Sequence, residues 1–303
     1  MILWRSLLFT PGNNMRMIAK AGTLAADAVI LDLEDSVPVS DKETARLFVR
    51  DSLVDVGRGD AAVLVRINAP DTGLSEDDLD WVVQPGLHGI VLPKAESAED
   101  VVNLANRLER LESDRKLADK SLAIVPILES AKGVMNGYPI ATASSRVAAL
   151  AFGGVDFSRD MAVDLTPEGM ELFYPRARIA IAARAAGVLA VDTPCTAIND
   201  PVQLKAEAKA VRQLGFRGKL LIHPAHVRIV NEVFSPTTAE VNRARKIVEA
   251  FGAAQEQGLG AISLDGKMID VANFRQAQDL LAWAEAVGLD PQENQGSRID
   301  RQR

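Results

Sequence analysis

The sequence has a single cysteine, Cys195, which excludes an internal disulfide framework and leaves no thiolate cluster to hold a metal. A reducing, cytoplasmic setting is the expectation that follows. Positive charge is short as well: 34 Lys and Arg face 41 Asp and Glu, for a net charge of -7. Neutralising a phosphate backbone needs the opposite balance, and no basic stripe interleaved with aromatic residues is present, so nucleic-acid binding is not expected. Long apolar runs are missing too. The opening "MILWRSLLF" is broken by Arg5 and passes directly into "TPGNN", too short to cross a bilayer and without a small-residue cleavage site. Neither a membrane helix nor a signal peptide is expected. Short-period repeats and low-complexity tracts are likewise absent.

What the chain does hold is 48% hydrophobic residues over 303 positions, enough for one large core or two domains. Short β-branched runs alternate with stretches of helical periodicity. The runs are "WRSLLFTPG", "DAVILDLED", "AAVLVRIN", "GIVLPKA", "LAIVPILES", "VAALAFGGVD", "VLAVDTP" and "KLLIHP". Between them lie helix-like segments such as "DKETARLFVRDSLVDV", "SAEDVVNLANRLERLE", "PEGMELFYPRARIAIAARAAG" and "DPVQLKAEAKAVRQLG", several opened by capping Ser, Asp or Pro. Eight strand–helix units in succession predict a (β/α)₈ TIM barrel, with a doubly wound open sheet as the alternative. The expected division is a barrel over 1–235 and a C-terminal helical extension and lid over 236–288. The tail 289–303, with almost nothing to bury, is expected to be disordered.

In such a barrel the chemistry sits where the strands end. Those ends carry Thr10-Pro11-Gly12, then Asp32, Glu34 and Asp35, then Arg66 and Asn68, Lys94, Glu129, Asp156, Asp192 and His223. Carboxylates dominate, with Arg66 and Lys94 as cationic counterweights. Asp32 and Glu34 are two apart on a strand and share a face, while Asp35 points elsewhere or lies in the loop. Oxygen donors without paired histidines or cysteines suit a hard cation such as Mg²⁺, and Glu129 and Asp156 are the favoured ligands. The glycines of "LAFGGVD" would let backbone approach a ligand closely. Each residue also has a plainer reading. Asp35 and Asp192 can be helix N-caps, Arg66 can pair a neighbouring carboxylate, and His88, His223, His226 and Cys195 can simply pack. "TPGNN", a turn feeding a helix N-terminus, is a weak anion motif.

"RSLLFTPGNN", "LDLEDSV", "LVRIN", "VLPKAES", "ILESAKGV", "AFGGVDFSRD", "IHP" and "SLDGKMID", taken in this order, resemble the citrate lyase β-subunit-like branch of the HpcH/HpaI aldolase family, which also holds malyl-CoA and citramalyl-CoA lyases. The resemblance spans about Arg5 to Gly288. It implies that Glu129 and Asp156 bind Mg²⁺, that Glu34 and Asp35 support the metal's waters and the site's hydrogen bonds, and that Asp32 is structural. It further implies that Arg66 contacts the ketoacid or thioester oxygen. Asp270 of "KMID" would belong to a lid that in relatives reaches a neighbouring subunit's site, and would protonate the enolate carbon. The reaction implied is cleavage of a 3-hydroxy-3-carboxyacyl thioester to acetyl-CoA or a homologue plus a 2-ketoacid. Lys20 and Arg5 are candidate contacts for the CoA moiety. A homo-oligomer, trimer or hexamer, is implied by the shared lid. The alternatives are a citrate lyase β subunit acting on a citryl acyl carrier protein within a complex, a CoA-thioester hydrolase, and a noncatalytic metal- or CoA-binding subunit.

Overall fold

The computed structural model describes residues 2–289. Of the tail expectation, residues 290–303 lie outside the described residues.

Eight parallel strands close into a barrel in chain order: β1 (Ser6–Pro11), β2 (Ala28–Asp32), β3 (Ala62–Arg66), β4 (Gly89–Leu92), β5 (Ala123–Leu128), β6 (Ala149–Phe152), β7 (Leu189–Asp192) and β8 (Gly218–Leu221). β8 pairs back onto β1, which closes the sheet and excludes the open alternative. Ten helices accompany them: α1 (Met15–Ala21), α2 (Lys42–Val56), α3 (Ser75–Val82), α4 (Ala98–Asp114), α5 (Ala131–Met135), α6 (Gly137–Thr142), α7 (Gly154–Asp160), α8 (Phe173–Ala186), α9 (Pro201–Leu214) and α10 (His226–Phe234).

Side chains on a strand alternate between two faces, and here both faces are covered. Leu7, Ala28, Ile30, Leu64, Val91, Val125, Ile127, Ala149, Ala151, Val191 and Leu220 fill the barrel. Their neighbours Leu8, Val29, Leu31, Val63, Val65, Ile90, Leu128 and Phe152 pack outward with the helices in a second, larger core. This double burial is why the runs read as continuously apolar. The same alternation carried one residue further turns Asp32, Arg66 and Glu129 inward at the carboxyl ends of β2, β3 and β5, which form the barrel mouth.

The expected helix across "PEGMELFYPRARIAIAARAAG" begins late. Gly169 takes a left-handed φ of 65°, a short 3-10 turn follows at Met170–Leu172, and α8 starts only at Phe173. Only glycine enters that conformation without steric cost, and it breaks the helix.

Residues Trp4–Phe234 form one compact unit, and residues 235–289, with Ile2 and Leu3, form a second. The second unit holds α11 (Thr238–Glu256), a hairpin of β9 (Ala261–Leu264) and β10 (Lys267–Asp270), and α12 (Val271–Ala286). The hairpin turns on Asp265 and Gly266, both at positive φ (50° and 73°), as a two-residue turn between twisted antiparallel strands requires. Its core is Ala244, Ile247, Phe251, Ile269 and Ala277, with the Phe251 and Phe274 rings 5.2 Å apart. Among the described residues, no helix is long and apolar enough to cross a membrane.

Candidate active site

Asp32 and Arg66 are direct neighbours in the register of β2 on β3. Arg66 donates through Nε to Asp32 Oδ1 at 2.6 Å and through Nη2 to Asp32 Oδ2 at 2.7 Å, a bidentate fork. Its remaining nitrogen, Nη1, lies 2.9 Å from Glu34 Oε2 and 3.6 Å from Asp35 Oδ2. The guanidinium also stands 4.7 Å over the Phe9 ring. Burial alone would raise Asp32, but the hydrogen bonds and charge of Arg66, with the Ser36 hydroxyl and the Glu34 amide, hold it below the usual carboxylate range. Arg66 is therefore locked in its charged form and aimed.

Glu34 is the opposite case. It is 5% exposed, and neither carboxylate oxygen accepts a hydrogen bond of good geometry. Burial pushes its pKa up to about 8 against the pull of Arg66, and Asp35, Glu129 and Asp32 add like-charge repulsion. Lys94 Nζ stands 3.7 Å from Glu34 Oε1.

Glu129 continues the inward face of β5. Its Oε1 accepts from the Lys94 amide at 2.7 Å, and Lys94 takes φ 50° to present that amide. A left-handed lysine is strained backbone, of the kind that persists where surrounding structure enforces it. Burial pushes Glu129 up to about 7, opposed by the Lys94 amide and reinforced by the charge of Asp156. Asp156 lies in the first turn of α7, where the helix dipole favours an anion, 3.0 Å from Arg159. Glu129, Asp156, Lys94, Asp71 and Asp100 line one cavity of about 400 Å³.

A glycine makes room for this arrangement. A Cβ at Gly153 would sit 2.5 Å from both Cβ and Oε2 of Glu129. The close approach expected of "FGGVD" is therefore to a neighbouring carboxylate side chain.

These residues fit a hard divalent cation. Two buried or half-buried carboxylates repel each other across a polar cavity, and Mg²⁺ is commonly held by one or two protein carboxylates with water and substrate completing its octahedron. Among the described residues no group of three or more His, Cys, Asp or Glu stands ready to ligate a metal. Protein donors alone would thus leave most of the octahedron to other oxygens.

Other expected residues stand apart from the mouth. Arg5 precedes β1 at its amino end, some five residues or about 17 Å of strand from Thr10. There its Nε and Nη2 clasp Asp27 at 2.8 and 2.7 Å. Its guanidinium is engaged there rather than at the mouth. Lys20 is exposed in the last turn of α1, about 7.5 Å along the helix from its first residue. Asp192 faces outward from the wall, where Arg176 and Lys219 hold it at 2.8 and 2.6 Å. Both of its N-cap and mouth readings give way to a buried ion pair. His226 is buried with Nε2 3.0 Å from the Ile198 carbonyl, and His88 Nδ1 accepts from the Val63 amide. In the second unit, Asp270 caps α12: its Oδ1 accepts from the amides of Ala272 and Asn273, and the Asp270 amide donates to Asn273 Oδ1.

The family model for HpcH/HpaI aldolase/citrate lyase matches residues 5–224, and one for carbon–carbon bond lyases of the TIM-barrel fold matches residues 169–289. The chain belongs to the HpcH/HpaI aldolase/citrate lyase family. Citrate lyase subunit beta of Leuconostoc mesenteroides subsp. cremoris is 36% identical over 299 residues, covering 99% of this chain and 98% of that one. Mitochondrial citramalyl-CoA lyase of Homo sapiens is 31% identical over 293 residues, covering 93% and 86%. Among solved structures, CitE from Mycobacterium tuberculosis, in complex with magnesium, acetoacetate and coenzyme A, superposes with a TM-score of 0.76 at 28% identity over 93% of this chain and 98% of that one. Membership makes this HpcH/HpaI protein a carbon–carbon lyase of the citrate lyase β and citramalyl-CoA lyase type. The resemblance, the barrel and the enzyme class expected from the sequence are thereby borne out.

Proposed function

We propose that this chain is a Mg²⁺-dependent lyase that cleaves a 3-hydroxy-3-carboxyacyl thioester into acetyl-CoA or a homologue and a 2-ketoacid. The observation that carries the reading is the convergence of Glu129 and Asp156 on one cavity with Lys94, whose neighbour Glu34 joins it to the Asp32–Arg66 fork.

Glu129 and Asp156 would hold the metal, with Asp35 supporting its waters. When bound, Mg²⁺ supplies a Lewis acid for the substrate's hydroxyl and carboxylate oxygens. Glu34 is the residue for the hydroxyl proton: its oxygens lack hydrogen bonds, and a pKa of about 8 suits a group that must both take and return a proton. As that proton leaves, the C2–C3 bond breaks and its electron pair passes to the thioester carbon unit as an enolate. Arg66, fixed by Asp32 before any substrate arrives, stabilises the enolate oxygen without having to reorganise. Asp270 protonates the enolate carbon, contributed by a neighbouring subunit of a homo-oligomer. The pantetheine arm crosses the mouth, with Lys20 retained as a candidate contact and Arg5 set aside.

The citrate lyase subunit relative favours a second reading, a β subunit acting on a citryl acyl carrier protein within a complex. One experiment separates them. Purified protein is incubated with Mg²⁺ and malyl-, methylmalyl-, citramalyl- or citryl-CoA, and the products are identified by mass. Acetyl-CoA or propionyl-CoA with a ketoacid, abolished by chelator, is the expected result. Free CoA with an intact hydroxy acid would make the protein a hydrolase, and silence on every CoA ester would move it to the carrier-protein complex.

A further inference from the structure

Lys42 stands at the first position of α2 with its ammonium misplaced by two local rules. The amino end of a helix carries partial positive charge, so a cation there opposes the dipole. The residue is also only 9% exposed, and burial draws its pKa down. A residue that violates local preference in this way is kept for something else.

Its contacts show what that is. Lys42 Nζ donates to the carbonyl oxygens of Leu33 at 2.6 Å and of Glu34 at 2.8 Å. These belong to the two peptide groups on either side of the Glu34 Cα. From the other side, the Glu34 amide donates to Asp32 Oδ1 at 3.0 Å and the Leu33 amide to the Arg66 carbonyl at 2.9 Å. The backbone that carries Glu34 is thus held on all sides, while its carboxylate is left without a hydrogen bond. One turn along the helix, Arg46 donates to Asp78, and Asp78 accepts from the Asn68 amide and Nδ2, both at 2.7 Å. The inner face of α2 therefore grips the segments that follow both β2 and β3.

We propose that Lys42 is a positioning residue for the reaction: by holding both peptide carbonyls around Glu34, it aims that carboxylate at Arg66 and the Glu129–Asp156 cavity. This rests on the reading of Glu34 as a group at the reacting centre.

The test is a double-mutant cycle of Lys42→Met and Glu34→Gln, assayed on the thioester that the wild-type protein cleaves. Lys42→Met is expected to lower kcat about 10²-fold with KM changed by no more than about threefold, the scale of a misplaced catalytic group. In the Glu34→Gln background the same substitution is expected to change kcat by less than about threefold, because residues acting as one unit are not additive. Multiplying effects, or a Lys42→Met kcat per folded molecule within about twofold of wild type, overturn the proposal. Glu34→Gln with undiminished kcat instead overturns the reading of the site on which it rests. Val49→Ala, a buried position on the same helix, controls for lost stability and should leave kcat unchanged. Where Lys42→Met does not fold, Lys42→Gln, still able to donate to one carbonyl, replaces it with a smaller expected loss. A crystal structure of the folded Lys42 variant gives a readout independent of turnover: Glu34 still 2.9 Å from Arg66 would refute the role.

Discussion

At position 153 the site depends on a missing side chain. Any Cβ there would collide with Glu129 and press on Ile127 Cγ2 at 3.0 Å, so Gly153→Ala must displace a proposed metal ligand. We expect it to weaken Mg²⁺ binding measured by calorimetry and to lower turnover about 10²-fold, with little change in circular dichroism. Glu129→Gln and Asp156→Asn should abolish Mg²⁺ stimulation in folded protein; Mg²⁺-stimulated activity surviving in either would reassign the ligand. Residues differ widely in how legible they are from sequence. Glu129 and Asp156 were readable because each is a carboxylate closing an apolar run, and strand alternation then dictates that Glu129 points inward. Lys42 was not, since a lysine opening an amphipathic helix looks like solvated surface, and nothing local records the carbonyls that a neighbouring turn leaves for it. Asp192 misled for the converse reason. It closes a strand as Glu129 does, but its register turns it outward, and its partners Arg176 and Lys219 are 16 and 27 residues away.

Among the elements, the turn from β10 into α12 unites two roles in one residue. Asp270 caps the helix and is the proposed proton donor to carbon. Asparagine caps about as well as aspartate, whereas alanine loses about 1 kcal/mol of capping. Asp270→Asn should therefore keep the wild-type melting temperature and lose turnover, and Asp270→Ala should lose both. If the Asn variant remains active, the cap is the residue's whole function. A shared site has its own test, in which mixed oligomers of Asp270→Ala and Glu129→Ala subunits recover activity that neither has alone. Elements were the most legible scale: all eight strands, α11 and α12 fall where the period of the sequence changes. The β9–β10 hairpin escapes such a reading because its strands are mostly exposed or half-buried and carry no apolar run. The late start of α8 was hidden because the left-handed Gly169 sits inside a pattern that is otherwise helical.

For the molecule as a whole, the buried carboxylates fall into two classes with opposite effects on stability. Glu34 and Glu129, raised from 4.5 to about 8 and about 7, hold protons in the folded state that the unfolded chain has already released. Their contribution to stability is complete below about pH 4.5 and is lost as pH rises through their folded pKa values. Asp32 and Asp192 are lowered from 3.8, so their contribution is present above that value and is lost as pH falls through their depressed folded values. Metal-free protein should thus be most stable near pH 5 in urea titrations, and less so at pH 8.5. Added Mg²⁺ should raise the midpoint more at pH 8.5 than at pH 5.5, because it takes the place of protons on the carboxylates. A metal-free midpoint that climbs from pH 5 to 8.5 would contradict the buried-carboxylate account.

The circumference of the barrel is divided unequally. Every residue proposed for chemistry in this unit follows β2 through β6, while the wall between β7 and β8 is stitched from outside by the Lys219–Asp192–Arg176 cluster. That sector carries none of the proposed chemistry and is pinned by buried charge instead. A fluorophore carried at Ala185→Cys, exposed in the last turn of α8 where the chain returns to the amino end of β7, is expected to leave turnover unchanged and so to report assembly rather than catalysis.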